Sequence, residues 1–317
     1  MSGRSILTRL AEADPVLGLG NALVDVVMPV GEAELLQIGF PKGSMQLIDA
    51  GKLDLLEELA RTHAVHQSPG GSAANTISAL AALGQDVGFL GKVGPDGRGT
   101  YFEEAMKAQG IKAHLTRGQA RTGCCHVLLT EDSERTFGTY LGAALELGPD
   151  DVLASHLEGF GVLHVEGYLV QNRALIEQAL EKARNRGLVV GLDLASFNLV
   201  AEDPSYYRYL LRKYVDVAYA NEDEAAAFTG RKDWADNLAA LAEEVPLAVV
   251  KAGARGAKIA ADGQVWNIPA RSVRAVDTTG AGDYFAAGLY AGLRLGWPVD
   301  RAGALAAQVA GAVVQVH

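Results

Sequence analysis

Nine consecutive residues, Ala275-Val276-Asp277-Thr278-Thr279-Gly280-Ala281-Gly282-Asp283, set two carboxylates around a glycine-rich turn. The apolar run 284–295 follows at once, so the turn reads as a loop opening directly into a helix. Glycines at 280 and 282 let backbone N–H groups turn inward, and the helix start adds its own donors. With the positive end of the helix dipole, the backbone of Gly280, Ala281 and Gly282 makes a pocket for an anion. Asp283 stands on the rim of that pocket, where it would repel a phosphate unless it had a task of its own. The chemistry suggested is a meeting of two substrates at this turn.

The elements that must position the turn follow an α/β pattern. From residue 149 onward, strands at 161–166, 188–194, 215–220 and 247–251 alternate with helices at 173–186, 205–213, 222–228 and 234–244. Such alternation predicts a mostly parallel sheet with helices on both faces, which binds ligands beyond the carboxyl ends of its strands. Residues 258–269 read as a hairpin turning at Asp262-Gly263, and helices over 283–295 and 299–315 follow. Earlier in the chain, 16–30 reads as one buried strand carrying two polar residues, Asn21 and Asp25, which are costly to bury without partners. Its Gly18-Leu19-Gly20 begins like a dinucleotide fingerprint, but Leu23 stands where the third glycine belongs and no helix start follows.

Residues 31–50 are irregular, and a short helix is expected over 53–61. Ser68-Pro69-Gly70-Gly71-Ser72-Ala73-Ala74-Asn75 leads into a small-residue helix over 76–83; either it is a turn with Ser72 as N-cap, or it lets a ligand approach the backbone. A strand over 86–93 and a helix over 101–109 come next. The stretch 111–144 reads as an antiparallel hairpin around Glu131-Asp132-Ser133, and with residues 26–50 it is expected to form a small sheet standing off the main body as a lid.

Bulk properties exclude several classes. At 317 residues with 49% hydrophobic and 21% charged side chains, the chain has the make-up of one large globular unit. A net charge of −10 argues against non-specific nucleic-acid binding, which needs a basic surface. The only cysteines, Cys124 and Cys125, are adjacent and fit a reducing, cytoplasmic setting. The most apolar segment, 304–316, is shorter than the roughly 20 residues a membrane span needs, so no membrane association is expected. The seven histidines (His63, His66, His114, His126, His156, His164 and His317) show no metal-ligand spacing. Gly91-Lys92 is followed by Val93, so the commonest phosphate-binding loop is absent as well.

Asp277-Thr278-Thr279-Gly280-Ala281-Gly282-Asp283 matches the D-T-x-G-A-G-D motif of the ribokinase-like (PfkB) carbohydrate kinases. Gly70-Gly71 with Asn75 resembles that family's glycine-pair motif, Asn221-Glu222-Asp223-Glu224 its N-x-x-E motif, and Val250-Lys251-Ala252-Gly253 through Gly256 its nucleotide-side strand and turn. The resemblance runs in order from about Gly18 to the C-terminus. It implies a three-layer α/β/α fold forming a single kinase domain over 1–317, with a β lid from about 26–50 and 112–142. It also implies transfer of a phosphoryl group from ATP, with Mg²⁺, to a hydroxymethyl group of a sugar or nucleoside, and leaves a monovalent-cation requirement open.

In that scheme Asp283 accepts the hydroxyl proton, while the Gly280, Ala281 and Gly282 backbone holds charge developing on the transferred group. Asn21, Asp25, Gly70, Gly71, Asn75 and Tyr168 are expected on the acceptor side. Asn221, Glu224, Lys251, Gly253, Gly256, Thr278 and Arg135 are expected on the ATP side, with Glu224 acting on Mg²⁺ through water. Asp193 and Asn198 end a strand on the same side. The Gly20-Asn21-Ala22-Leu23-Val24-Asp25 segment resembles the start of adenosine kinases more than that of sugar kinases. A nucleoside, adenosine first, is therefore the expected acceptor, with Met28, Phe137 or Leu141 forming a purine slot; ribose or fructose is the alternative. A monomer, or a homodimer through the lid, is expected.

Overall fold

The computed structural model describes residues 4–132 and 134–315. Ser133, in the expected hairpin turn, and His317 lie outside the described residues. The chain opens with α1 (Ile6–Ala11), β1 (Val16–Leu19), β2 (Leu23–Pro29), α2 (Glu32–Ile38), β3 (Met45–Leu47), α3 (Ala50–Ala60), β4 (His66–Gly70) and α4 (Ser72–Ala82). It continues through β5 (Val87–Val93), α5 (Gly97–Ala108), β6 (Lys112–Arg117), β7 (Gly123–Leu129), β8 (Arg135–Tyr140), β9 (Val162–Glu166), α6 (Arg173–Asn185) and β10 (Val189–Asp193). Then come α7 (Phe197–Glu202), α8 (Pro204–Tyr214), β11 (Val217–Asn221), α9 (Glu222–Thr229), α10 (Trp234–Ala242) and β12 (Leu247–Lys251). The hairpin β13 (Ala257–Ala261) and β14 (Gln264–Ile268) precedes α11 (Ala281–Arg294) and α12 (Val299–Val313).

Two sheets result. The larger has nine strands in the order β14-β13-β12-β11-β10-β9-β1-β5-β6, parallel from β12 to β6 and antiparallel only at the β12-β13-β14 end. Its central strands are apolar on both faces because helices cover both. Val16, Phe89, Val189 and Val249 pack towards α4, α11 and α12, while Leu17, Leu163, Leu192 and Val250 pack towards α6, α8 and α10. The expected α/β/α fold is therefore present. Gly288 and Gly292 bring α11 against the α12 backbone: a Cβ on Gly288 would stand 2.6 Å from the Ala306 Cα. That close packing fixes the helix that begins at the glycine-rich turn.

The smaller sheet has the order β3-β8-β7-β2-β4. One face closes over Met28, Leu35, Ile38, Leu56 and Leu128, and the other faces a cleft. Several expectations change here. The strand over 16–30 is two strands: β1 lies in the large sheet, and the chain crosses at residues 20–22 to enter the small sheet as β2. Residues 112–117 pair with β5 at the edge of the large sheet, so the second contribution to the small sheet is only β7 and β8. Residues 66–70, polar and containing Pro69, form edge strand β4; a proline is tolerated there because an edge strand need not donate on both sides. Part of the irregular 31–50 stretch is helix α2, capped at its end by Gly39 in the left-handed region (φ 78°).

Candidate active site

A cleft of about 1060 Å³ separates the open face of the small sheet from the carboxyl ends of the large sheet's parallel strands. The crossing between sheets forms one wall. A Cβ on Gly20 would strike the Glu166 carboxylate, so only glycine lets the chain pass there. Glu166 ends β9 and is buried; its Oε1 accepts from Asn21 N at 2.9 Å and Asn21 Nδ2 at 2.5 Å. Its Oε2 accepts from Ala73 N in the first turn of α4 at 3.0 Å. One carboxylate thus ties together the large sheet, the crossing and the helix carrying Ser72 and Asn75. Burial pushes its pKa up to about 7 against those hydrogen bonds.

The start of α4 reaches across to the start of α11. Ser72 Oγ donates to Asp283 Oδ1 at 2.7 Å, and Asn75 Nδ2 donates to Asp283 Oδ2 at 3.1 Å. Thr76 Oγ1 donates to the Asp283 carbonyl at 3.3 Å. The N-cap of α4 is Gly71, at φ 101°, and not Ser72, whose hydroxyl is turned onto Asp283 instead. Burial, then the charge of Asp193, raises the Asp283 pKa to about 7, opposed by the Ser72 and Asn75 hydrogen bonds and by Lys251. A carboxylate poised there can take a proton near neutrality.

The turn itself is ordered by Asp277, whose Oδ1 accepts from Thr279 N at 3.0 Å. Gly280 caps α11 in the left-handed region (φ 74°), and Ala281 N donates to Thr278 O at 3.2 Å. The Ala281 N–H, expected to face an anion, is thus turned onto the loop's own carbonyl. Below the turn lies Lys251: a Cβ on Gly282 would stand 2.8 Å from its Nζ. Lys251 Nζ donates to Asp193 Oδ2 at 2.8 Å, and Asp193 Oδ1 accepts from Ala195 N at 3.0 Å. Ala195 holds φ 64°, a strained value for a residue with a Cβ, beside the ligand cleft.

Asn221 and Glu224 bond each other. Asn221 caps α9 by accepting from Glu224 N at 2.9 Å, while Glu224 accepts from Asn221 N and Nδ2, both at 2.7 Å. This capping box occupies both Glu224 oxygens. Glu224 is buried, and its pKa rises to about 7 through burial and the nearby Asp193, with Lys251 opposing. Gly253 (φ 53°) and Gly256 (φ 95°) shape the turn after β12 and, with Thr278 and Asn198, line the cleft. Tyr168, 40% exposed, lines it from the turn after β9. Arg135, on β8, pairs with Asp277 at 2.8 Å, bridging the small sheet to the turn.

Asp25 stands on the open face of β2, its pKa raised to about 7 by burial and lowered in part by Arg135. Gly70 packs directly on its carboxylate, where any Cβ would collide. Beside it, Val27, Val127, Phe137 and Leu141 line the cleft. Met28 does not: strand alternation turns it to the opposite face, fully buried.

Acceptor-side and ATP-side positions expected from sequence therefore meet at one cleft, except Gly70, which is buried behind the Asp25 carboxylate and does not line it. Ser72 and Glu166 were missed as site residues. For Glu166 a signal existed, a carboxylate ending an apolar run at the ligand side of a parallel sheet; for Ser72 the signal was its place inside the glycine-pair motif.

The profile for pfkB family carbohydrate kinases matches residues 43–317. The chain belongs to the PfkB family. A fructokinase of Klebsiella pneumoniae is 35% identical over 308 residues, covering 92% of this chain and 88% of that protein. Among solved structures, an adenosine kinase from Sinorhizobium meliloti aligns with a TM-score of 0.85 and 32% identity, covering 96% of this chain and 94% of that one. A probable sugar kinase from Rhizobium etli aligns with a TM-score of 0.86 and 32% identity over 96% and 93% of the two chains. This PfkB kinase is a phosphotransferase acting on an alcohol group of a sugar or nucleoside. No helix among its described residues is long and apolar enough to cross a membrane.

Proposed function

We propose that this PfkB kinase transfers the γ-phosphoryl group of ATP to the 5′-hydroxyl of a nucleoside, adenosine first. The observation that carries the acceptor is the pairing of Asp25 with an apolar wall. Its two carboxylate oxygens suit the vicinal hydroxyls of a ribose, and Val27, Val127, Phe137 and Leu141 continue beyond it with apolar surface that a furanose alone leaves uncovered. Asn21, held by Glu166, and Gly70, Gly71, Asn75 and Tyr168 complete the acceptor side in this reading. The whole chain acts as one kinase domain, and the small sheet closes as its lid.

In the transfer, the acceptor oxygen forms a bond to the γ-phosphorus, the bond to the β–γ bridging oxygen breaks, and ADP leaves. The acceptor proton passes to Asp283. Because the transition state of phosphoryl transfer is loose, positioning and charge stabilisation matter more than the strength of that base. Gly280 and Gly282 supply backbone donors at the turn, and Lys251 beneath it adds positive charge. Gly253, Gly256 and Thr278 line the ATP side, and Arg135 is within the same cleft to meet phosphate once it exchanges its Asp277 partner. The oxygen ligands available, Glu224 and Asp193, are hard donors of the kind Mg²⁺ takes. Both Glu224 oxygens already accept hydrogen bonds, which favours contact with a hydrated ion. Mg²⁺ bound with ATP would offset phosphate charge.

A furanose sugar is the second reading, favoured by the 35% identity to the Klebsiella fructokinase. A coupled assay with ATP over adenosine, guanosine, inosine, ribose and fructose separates the two. The proposal expects kcat/KM for adenosine to exceed that for fructose by about 100-fold, or roughly 2.7 kcal/mol. Equal or better turnover of fructose would replace the nucleoside with the sugar.

A further inference from the structure

The cleft-facing side of β7 serves the acceptor, but its opposite side carries a separate group of side chains. Cys124 and His126, two residues apart on that strand, both point away from the cleft, and Glu57 of α3 meets them there. One ligating atom from each lies within 4.8 Å of the others, the only such group among the described residues. Atoms placed about 2.0–2.3 Å from a shared tetrahedral ion stand roughly 3.3–3.8 Å apart, so a shift on the order of 1 Å would close the set.

We propose that Glu57, Cys124 and His126 bind a thiophilic divalent cation of the zinc type, between α3 and the outer face of the small sheet. A second observation supports a ligand at this place. His126 is fully buried, and among the described residues the one partner of its ring is Cys124 Sγ, 3.9 Å from Nδ1, the nitrogen that faces the cluster. A buried imidazole held by one long contact to sulfur is poorly satisfied, and an ion at Nδ1 would use its lone pair. The Cys124 thiol carries its proton while no ion is bound. Binding therefore has to displace the thiol proton into solvent, as ligation of cysteine by zinc does.

One side chain opposes the ion. The Arg98 guanidinium pairs with Glu57 and lies 3.6 Å from Cys124 Sγ, supplying the positive charge in the ion's absence. Arg98 stands in the first turn of α5 with its side chain 18% exposed, so it has a path to water. The site is thus an exchange of one cation for another. Three protein ligands leave a fourth position for water. The set shares no residue with the kinase cleft, so it stands or falls independently of the acceptor.

Cobalt tests it, because thiolate ligation gives Co²⁺ a near-ultraviolet charge-transfer band. The chelator-treated, reduced protein is titrated with Co²⁺ and then with Zn²⁺. Expected is a band that saturates at one ion per chain, is removed by Zn²⁺, persists in Cys125→Ser and is absent in Cys124→Ser. Since loss of even an outer-sphere partner weakens metal binding about 10–100-fold, Glu57→Gln and His126→Gln should bind at least about tenfold more weakly. Arg98→Gln should bind more tightly. Glu57→Gln, at the partly exposed edge of the cluster, keeps the test open if Cys124→Ser does not fold. No band in the wild type, a band lost in Cys125→Ser instead, or Glu57→Gln binding as tightly as wild type would overturn the proposal.

Discussion

The two sheets bury their side chains differently. Strands β1, β9 and β10 of the large sheet are buried along their whole length, with helices on both faces. In the small sheet, β2 alternates residue by residue: Val24, Val26 and Met28 are buried, while Leu23, Asp25 and Val27 face the cleft. The large sheet and α11 therefore hold the residues proposed to do chemistry, Asp193, Lys251 and Asp283, in a frame that resists movement. The small sheet presents one layer of side chains that can change without disturbing a core. A family that transfers the same group to different alcohols would vary the second and keep the first. That contrast can be broken by experiment.

The largest expected effect is at the turn. Asp283→Asn should lower kcat by roughly 10³- to 10⁴-fold, the upper range for loss of a positioned base. Acceptor binding by calorimetry should persist, because an amide still accepts one of the two hydrogen bonds from α4. Near wild-type turnover would remove Asp283 from the proton-accepting role.

The next two substitutions set the sheets against each other. Leu192→Ala empties space within a fully buried strand and should cost about 2–5 kcal/mol in denaturant unfolding, with KM for the acceptor unchanged. Phe137→Ala, on the cleft face of the small sheet, should raise KM for adenosine by about 10- to 100-fold, or about 1.4–2.7 kcal/mol. For fructose it should change KM little, since a furanose does not reach so far along the wall. A KM rise from Leu192→Ala as large as that from Phe137→Ala would mean that the frame and the wall are not separate.

The same contrast governs what the sequence could tell. The βαβ units between 161 and 251 were legible because parallel strands buried on both faces are continuous apolar runs separated by amphipathic helices. Strand β4, with His66, Gln67, Ser68 and Pro69, carries almost no apolar signal; a strand with one face on a cleft needs little. The passage from β1 to β2 was hidden for a different reason. Both are apolar strands, and the change of sheet at Gly20 is visible only through Glu166, 146 residues further on. Motif residues such as Asp277, Gly280 and Asp283 were legible because the turn they build is local. The Ser72 hydroxyl on Asp283 joins positions 211 residues apart, and no local spacing encodes that contact.

Ser72 gives the smallest expected effect and the most specific one. Its hydrogen bond favours the charged form of Asp283 and so lowers a pKa that burial has raised to about 7. Removing the hydroxyl in Ser72→Ala takes away that support and should move the pKa upward by on the order of one pH unit, since a hydrogen bond to a charged group is worth about 1.5 kcal/mol or more. If Asp283 must be ionised to accept the proton, kcat/KM rises with pH through about 7 in the wild type, and the limb moves to higher pH in the variant. The loss should be several-fold at about pH 6 and nearly absent at about pH 9.

Stability carries the same sign. The folded form keeps a proton on Asp283 at pH values where an unfolded carboxyl, with its ordinary value of 3.8, has lost it. The stability this contributes is fully present below the unfolded pKa and disappears as pH rises through about 7. Ser72→Ala should therefore lose more unfolding free energy relative to wild type at about pH 9 than at about pH 4, the reverse of its activity profile. A purely structural role for the hydroxyl would lower activity equally across the range and leave the limb where it was. Opposite trends in the two measurements would place the effect on the carboxylate itself.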